Sequence, residues 1–214
     1  MSRLSFLLIG LICSDQLTAE WATGFVFDDS NRNEQLDPSE RGLAGVRVSN
    51  GRSIVPTDAE GRWRLEVFSD DILFVIKPRG WMTPITKDQL TRFYYLHKPQ
   101  GSPDSKFPGV APTGPLPSQI NFPLFRQSEP DQFKVVFFGD PQPRDQTEID
   151  YIAHDVVEEL IGTDAHFGVT LGDILYDDLS LFESFNATVG LIGVPWYNVI
   201  GNHDINLDAP NDRF

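Results

Sequence analysis

The chain has 214 residues, 40% of them hydrophobic, which is room for two small domains with a core in each. Seventeen basic residues face 31 acidic ones, for a net charge of −14, and the basic residues are scattered. That balance excludes non-specific binding to a nucleic-acid backbone, and a single cysteine, Cys13, excludes a disulfide framework.

The first residues, Met1, Ser2 and Arg3, carry a positive charge, and residues 4–12 are apolar but too short to span a bilayer. This pattern predicts a secretory signal peptide over 1–19, cut after Ala19, and a secreted or periplasmic protein with no membrane span once it is removed. Cys13 leaves with the signal in that reading. Lipid anchoring through Cys13 is the alternative, disfavoured because Ile12 before it is not small.

Residues 20–92 alternate short apolar runs with turns: 24–27, 45–49, 52–55, 62–67 and 73–78, punctuated by Asn50-Gly51 and by Asp58 and Gly61. Period-two patterning with such turns predicts a small antiparallel β-sandwich of immunoglobulin or prealbumin type. Its first long loop carries oxygen side chains at positions one, three, five, nine and twelve, namely Asp29, Asn31, Asn33, Asp37 and Glu40. Gln35 would add its backbone carbonyl at position seven. That is the spacing of a calcium loop, closed by a bidentate glutamate. Glu34 stands at position six, where glycine is usual, and no helices flank the loop. The ligand series resembles that of calcium-dependent β-sandwich modules of secreted bacterial proteins; a polar, solvated hairpin loop is the alternative.

Residues 93–130 are rich in proline, at 99, 103, 108, 112, 115, 117, 123 and 130, and predict an extended connector. Its aromatics, among them Phe93, Tyr95 and Phe122, are expected to pack along both domains and fix their orientation.

From 131 the pattern changes. An apolar strand at 133–138 ends at Gly139-Asp140; a helical stripe follows over 146–161; a strand at 167–171 ends at Gly172-Asp173; a helix covers about 179–191; and a strand at 196–200 ends at Gly201, Asn202, His203 and Asp204. Strands alternating with helices predict an α/β domain, in which ligands collect at the carboxyl ends of the strands. Two divalent cations need a bridging carboxylate with further oxygen and nitrogen ligands to clamp a phosphate and activate water. Glycine before each ligand lets the backbone approach closely. The motifs lie 33 residues (140 to 173) and 29 residues (173 to 202) apart.

In this order the motifs resemble the calcineurin-like metallophosphoesterase superfamily, whose pattern runs D-x-H, G-D-x-x, G-N-H-[DE], H and G-H-x-H. Residues 109–117 and 195–198 narrow the resemblance to a secreted bacterial branch with an N-terminal β-domain. It implies hydrolysis of phosphate mono- or diesters with two divalent metal ions, manganese, iron, zinc or magnesium. Asp140 would bind the first metal, Asp173 would bridge, Asn202 would bind the second, His203 would act on the phosphate, and Asp204 would orient His203. Gln142 replaces the superfamily's histidine and would give a harder site, favouring manganese or magnesium over zinc. The last two motifs have no counterpart before Phe214, so the reading is of an incomplete, C-terminally truncated α/β domain that binds metal poorly and exposes apolar sheet surface. Tyr176 also fits the second motif of purple acid phosphatases, and is otherwise a wall residue. The rival reading is a calcium-dependent β-sandwich that binds a carbohydrate, surface polymer or partner beside a vestigial second domain.

Overall fold

The structure, a computed structural model, describes residues 19–206. Cys13 and all but the last residue of the expected signal peptide lie outside the described residues.

Eight strands build the N-terminal part: β1 (Glu20–Asp28), β2 (Arg47–Ser49), β3 (Ile54–Pro56), β4 (Arg62–Val67), β5 (Asp71–Ile76), β6 (Trp81–Met82), β7 (Tyr94–His97) and β8 (Phe122–Arg126). They form two four-stranded sheets, ordered β4-β1-β8-β6 and β3-β2-β5-β7. Strict alternation along β4 sends Trp63, Leu65 and Val67 inward and Arg62, Arg64 and Glu66 outward. β5 turns Leu73 and Val75 toward the same core, where they meet Val26, Val48 and Leu124. The two sheets therefore close over one hydrophobic core.

The stretch 93–130 departs from the expected connector. It contributes β7, paired with β5 from Tyr94 to His97, and β8, paired in parallel with β1. Phe122 and Leu124 from it are buried in the core. Proline composition misleads here because an extended chain is also what a strand needs. Pro123, which has no N–H to donate, precedes the two β8 residues, Phe125 and Arg126, that pair with β6.

The second part is a three-stranded parallel sheet, β11-β10-β9, made of β9 (Val135–Phe138), β10 (Phe167–Leu171) and β11 (Trp196–Val199). The helix between β9 and β10 runs as α1 (Gln146–Ile152), a π turn (Ala153–Val157) and α2 (Glu158–Leu160), and starts where the Asp145 side chain accepts from Glu148 N. A 3-10 turn (Leu179–Leu181), capped by Asp178, leads into α3 (Phe182–Gly190). These helices cover one sheet face, packing Ile149, Val157, Phe185 and Val189 around Trp196. The other face is covered at one end, where Phe93 meets Tyr197 and Phe133 meets Phe167, and open toward the carboxyl ends of the strands, where Phe137, Leu171 and Val199 are 60%, 55% and 51% exposed.

The two parts are joined by backbone, and by a segment other than the expected connector. Trp196 N donates to Gln89 O (2.8 Å) and Thr91 N to Trp196 O (3.4 Å), so residues 89–91 run along the outer edge of β11. A Cβ on Gly190 would lie 2.9 Å from the Asp88 carbonyl oxygen, so the end of α3 sits directly on the same segment. Among the described residues no helix is long and apolar enough to cross a membrane.

Candidate active site

The three motifs meet at the carboxyl edge of the parallel sheet, because parallel strands bring all their chain exits to one side. Asp140, Gln142, Asp173 and Asp177 all take positive φ, at 57°, 41°, 45° and 61°. They are four of the eight non-glycine residues with that backbone among those described. Each such residue is strained by about 1 kcal/mol or more, and strain of this kind gathers where the fold holds side chains for a task.

Asp173 is the hub. Its Oδ2 accepts from Gln142 Nε2 (2.9 Å), its Oδ1 from His203 N (3.2 Å), and its backbone oxygen from Gln142 N (3.1 Å). One carboxylate thus ties together the exits of all three strands. Gly201 is what allows the approach: a Cβ there would lie 1.9 Å from Asp173 Oδ1. Asp140 and Asn202 are both exposed beside it.

His203 carries its ring on two neighbours. Nδ1 lies 2.7 Å from Asp177 Oδ1, and the ring stacks on Tyr176 at 4.7 Å and 19°. Arg144, from the loop after β9, holds its guanidinium 5.0 Å from the other partner of that stack, the Tyr176 ring. The hydrogen bond to Asp177 raises the His203 pKa above its ordinary value, helped by the charges of Asp177, Asp173 and Asp140, while desolvation opposes the shift.

Asp204 has a different task from the one expected. It is 8% exposed, and its two oxygens accept from the amides of Ile174 (3.0 Å), Leu175 (2.9 Å) and Gly201 (2.8 Å). It staples the third loop to the second and makes no contact with the imidazole. Asp177 is the residue that orients His203. The signal for it in the sequence is its position four residues after Asp173.

As a metal centre the cluster is partial. Among the described residues no group of three His, Cys, Asp or Glu side chains is placed to hold a metal ion. The donors present are two carboxylates, Asp140 and Asp173, and two amides, Gln142 and Asn202. The Gln142 amide presents its NH2 to Asp173.

The loop at 29–40 folds inward on itself. Asp29, 1% exposed, accepts from Asn33 N (3.2 Å) and Glu34 N (2.8 Å). Asp37 Oδ2 accepts from Asn31 Nδ2 (2.8 Å) and Asn33 Nδ2 (3.0 Å), and Glu40 accepts from Ser30 N (2.9 Å) and Asp37 N (3.2 Å). Gln35 donates its N–H to Asn33 Oδ1 (2.8 Å). Glu34, at the position where glycine is usual, adopts φ 62°, the backbone that glycine would have supplied without strain.

Residues 30–109 match the family model described as the N terminal of calcineurin-like phosphoesterase. The match runs from this loop through β7. No curated protein matches the chain.

Proposed function

We propose, for a chain that carries the N-terminal domain of calcineurin-like phosphoesterases, that the strand-end cluster belongs to a metal-dependent hydrolase of phosphate mono- or diesters. The observation that carries this reading is the convergence of three successive strand exits, in which the Asp173 carboxylate accepts from Gln142, two residues after Asp140, and from the backbone of His203.

Asp140 and Asn202 would each hold one divalent cation, with Asp173 between them. The donor set is hard, which suits manganese or magnesium better than iron or zinc, and the described residues supply part of the ligands of such a pair. Bound there, the cations would polarise the phosphate and lower the pKa of the attacking water. His203 provides the proton or hydrogen bond for the ester oxygen, and Asp177 fixes the ring so that Nε2 is the free nitrogen. Gln142 orients Asp173 through its amide, a role that fits the observed hydrogen bond better than direct ligation.

The two facing sheets are read as an immunoglobulin- or prealbumin-type sandwich, and the positive start with its short apolar run as the mark of a secreted or periplasmic protein. The 29–40 loop is read as a calcium site, favoured by the φ of Glu34 at loop position six.

Manganese titration followed by electron paramagnetic resonance tests the central reading. Binding that weakens on Asp173→Asn and on Asp140→Asn is the expected result. Equal binding by wild type and both variants would place manganese elsewhere and sink the assignment.

A further inference from the structure

The three strand exits carry an uneven set of charges. Segments 139–145, 172–178 and 200–206 hold six aspartates, Asp140, Asp145, Asp173, Asp177, Asp178 and Asp204, and one residue of fixed positive charge, Arg144. Most of the carboxylates are already engaged. Asp145 and Asp178 accept from amides of the helical turns that follow them, Asp173 from Gln142 and His203, Asp177 faces the imidazole, and Asp204 takes three amides. Arg144 pairs with none of the six.

Its side chain is 67% exposed, and Glu148 Oε1, the carboxylate oxygen it faces, lies 4.0 Å from Nη1, beyond hydrogen-bond distance. Among the described residues the guanidinium makes no hydrogen bond, and its contact is with the Tyr176 ring, 5.0 Å away. The backbone beneath it is nevertheless fixed. Arg144 N donates to Glu148 Oε2 (2.7 Å), and Tyr176 N donates to Pro143 O (3.2 Å), tying the first loop to the second. A rigid fork of N–H donors, shaped for carboxylate or phosphate oxygens, is therefore presented to solvent at the edge of the site.

Tyr176 also sets its distance from the chemistry. The same ring stacks on His203 at 4.7 Å, so no more than about 10 Å separates the guanidinium from the imidazole. Arg144 makes no hydrogen bond or ion pair with Asp140, Asp173 or Asn202, the side chains assigned above to the divalent cations. Those cations would neutralise the phosphate that is cleaved; Arg144 stands to the side of it, free for another negative group of the same molecule. In a chain of net charge −14, which repels anions at long range, one fixed cation at the rim decides which of them are held.

We propose that Arg144 is a specificity-determining residue, selecting phosphate esters that carry a second anionic group, a carboxylate or a further phosphate, a few bonds from the scissile one. This rests on the phosphoester-hydrolase reading of the site and names the substrate class within it.

The test uses the whole chain, 15N-labelled, with magnesium, titrated with butylphosphonate and with 4-phosphonobutyrate, probes that differ by a terminal carboxylate and have no ester to cleave. The doubly anionic probe should bind about tenfold tighter, the worth of one hydrogen bond between charged groups, and should move the Arg144 Nε–H resonance saturably. Arg144→Gln should remove that preference while leaving butylphosphonate binding intact, and Arg144→Lys, which keeps the charge but loses the fork, should retain part of it. Equal affinity for the two probes in the wild type, a preference that survives in Arg144→Gln, or weakening of both probes alike in that variant would each overturn the proposal. Manganese binding followed by electron paramagnetic resonance judges the underlying reading separately, because Arg144→Gln should bind manganese no more weakly than wild type. Manganese binding that depends on Asp173, found beside any of those three outcomes, would leave the hydrolase reading standing and strike the role of Arg144 alone.

Discussion

Asp177 Oδ1 lies 2.7 Å from His203 Nδ1, and this contact, not one with the adjacent Asp204, sets the state of the imidazole. Both residues belong to loops that leave neighbouring parallel strands, so the pair exists only when β10 and β11 are in register.

Removing that partner should change titration. The folded pKa of His203 is raised, so the contact with Asp177 adds stability that is fully present below the ordinary value of 6.5 and is lost as pH rises through the folded pKa. Asp177→Asn should bring the midpoint of the His203 ring resonances down toward 6.5. His154, whose pKa Asp155 raises in the same sense, should not move and serves as the internal reference. A His203 midpoint that stays put would show that Asp177 is not its partner.

Asp204→Asn should act on stability. The carboxylate receives three backbone amides, and an amide side chain can accept through one oxygen only. A loss of about 2 kcal/mol is expected from urea unfolding. An unchanged midpoint would contradict the staple.

Gly201→Ala tests the approach to Asp173. Its backbone does not need glycine, but the new Cβ would collide with a carboxylate and with backbone. Overpacking of this kind costs roughly 1–3 kcal/mol. Weaker manganese binding should accompany it, since Asp173 is the atom group displaced. Retention of both stability and manganese binding would mean that the loops have room the structure does not show.

Calcium should raise the melting temperature through the 29–40 loop. At a hundredfold excess over the dissociation constant the gain is about 2.7 kcal/mol. Asp29→Asn should abolish the gain and chelator should reverse it. Identical melting curves in calcium and in chelator would leave the loop a purely hydrogen-bonded turn.

The strand-end motifs were legible because apolar runs ending in Gly-Asp or Gly-Asn are local patterns, and the α/β alternation between them follows from helical periodicity. The alternation of β4 was equally plain, since Trp63, Leu65 and Val67 point one way. What could not be read was partnership. Asp177 and Asp204 are both acidic residues near a histidine, and only the folded loops decide which one reaches the ring and which one takes amides. β7 and β8 were hidden for another reason: their pairing partners, β5 and β1, lie far away in sequence, and the prolines around them resemble a linker.

The contact of Trp196 with Gln89 and Thr91 has a practical consequence for dissection of the molecule. Residues 89–91 hydrogen-bond to the edge strand that carries the Asn202 and His203 motif. A gene boundary placed at the apparent linker would therefore cut a ladder instead of a tether, leaving β11 with bare amides and carbonyls on its outer side. The β-domain is a splint for the parallel sheet, and exchanging it between homologues as a cassette would require carrying that short segment across with the acceptor.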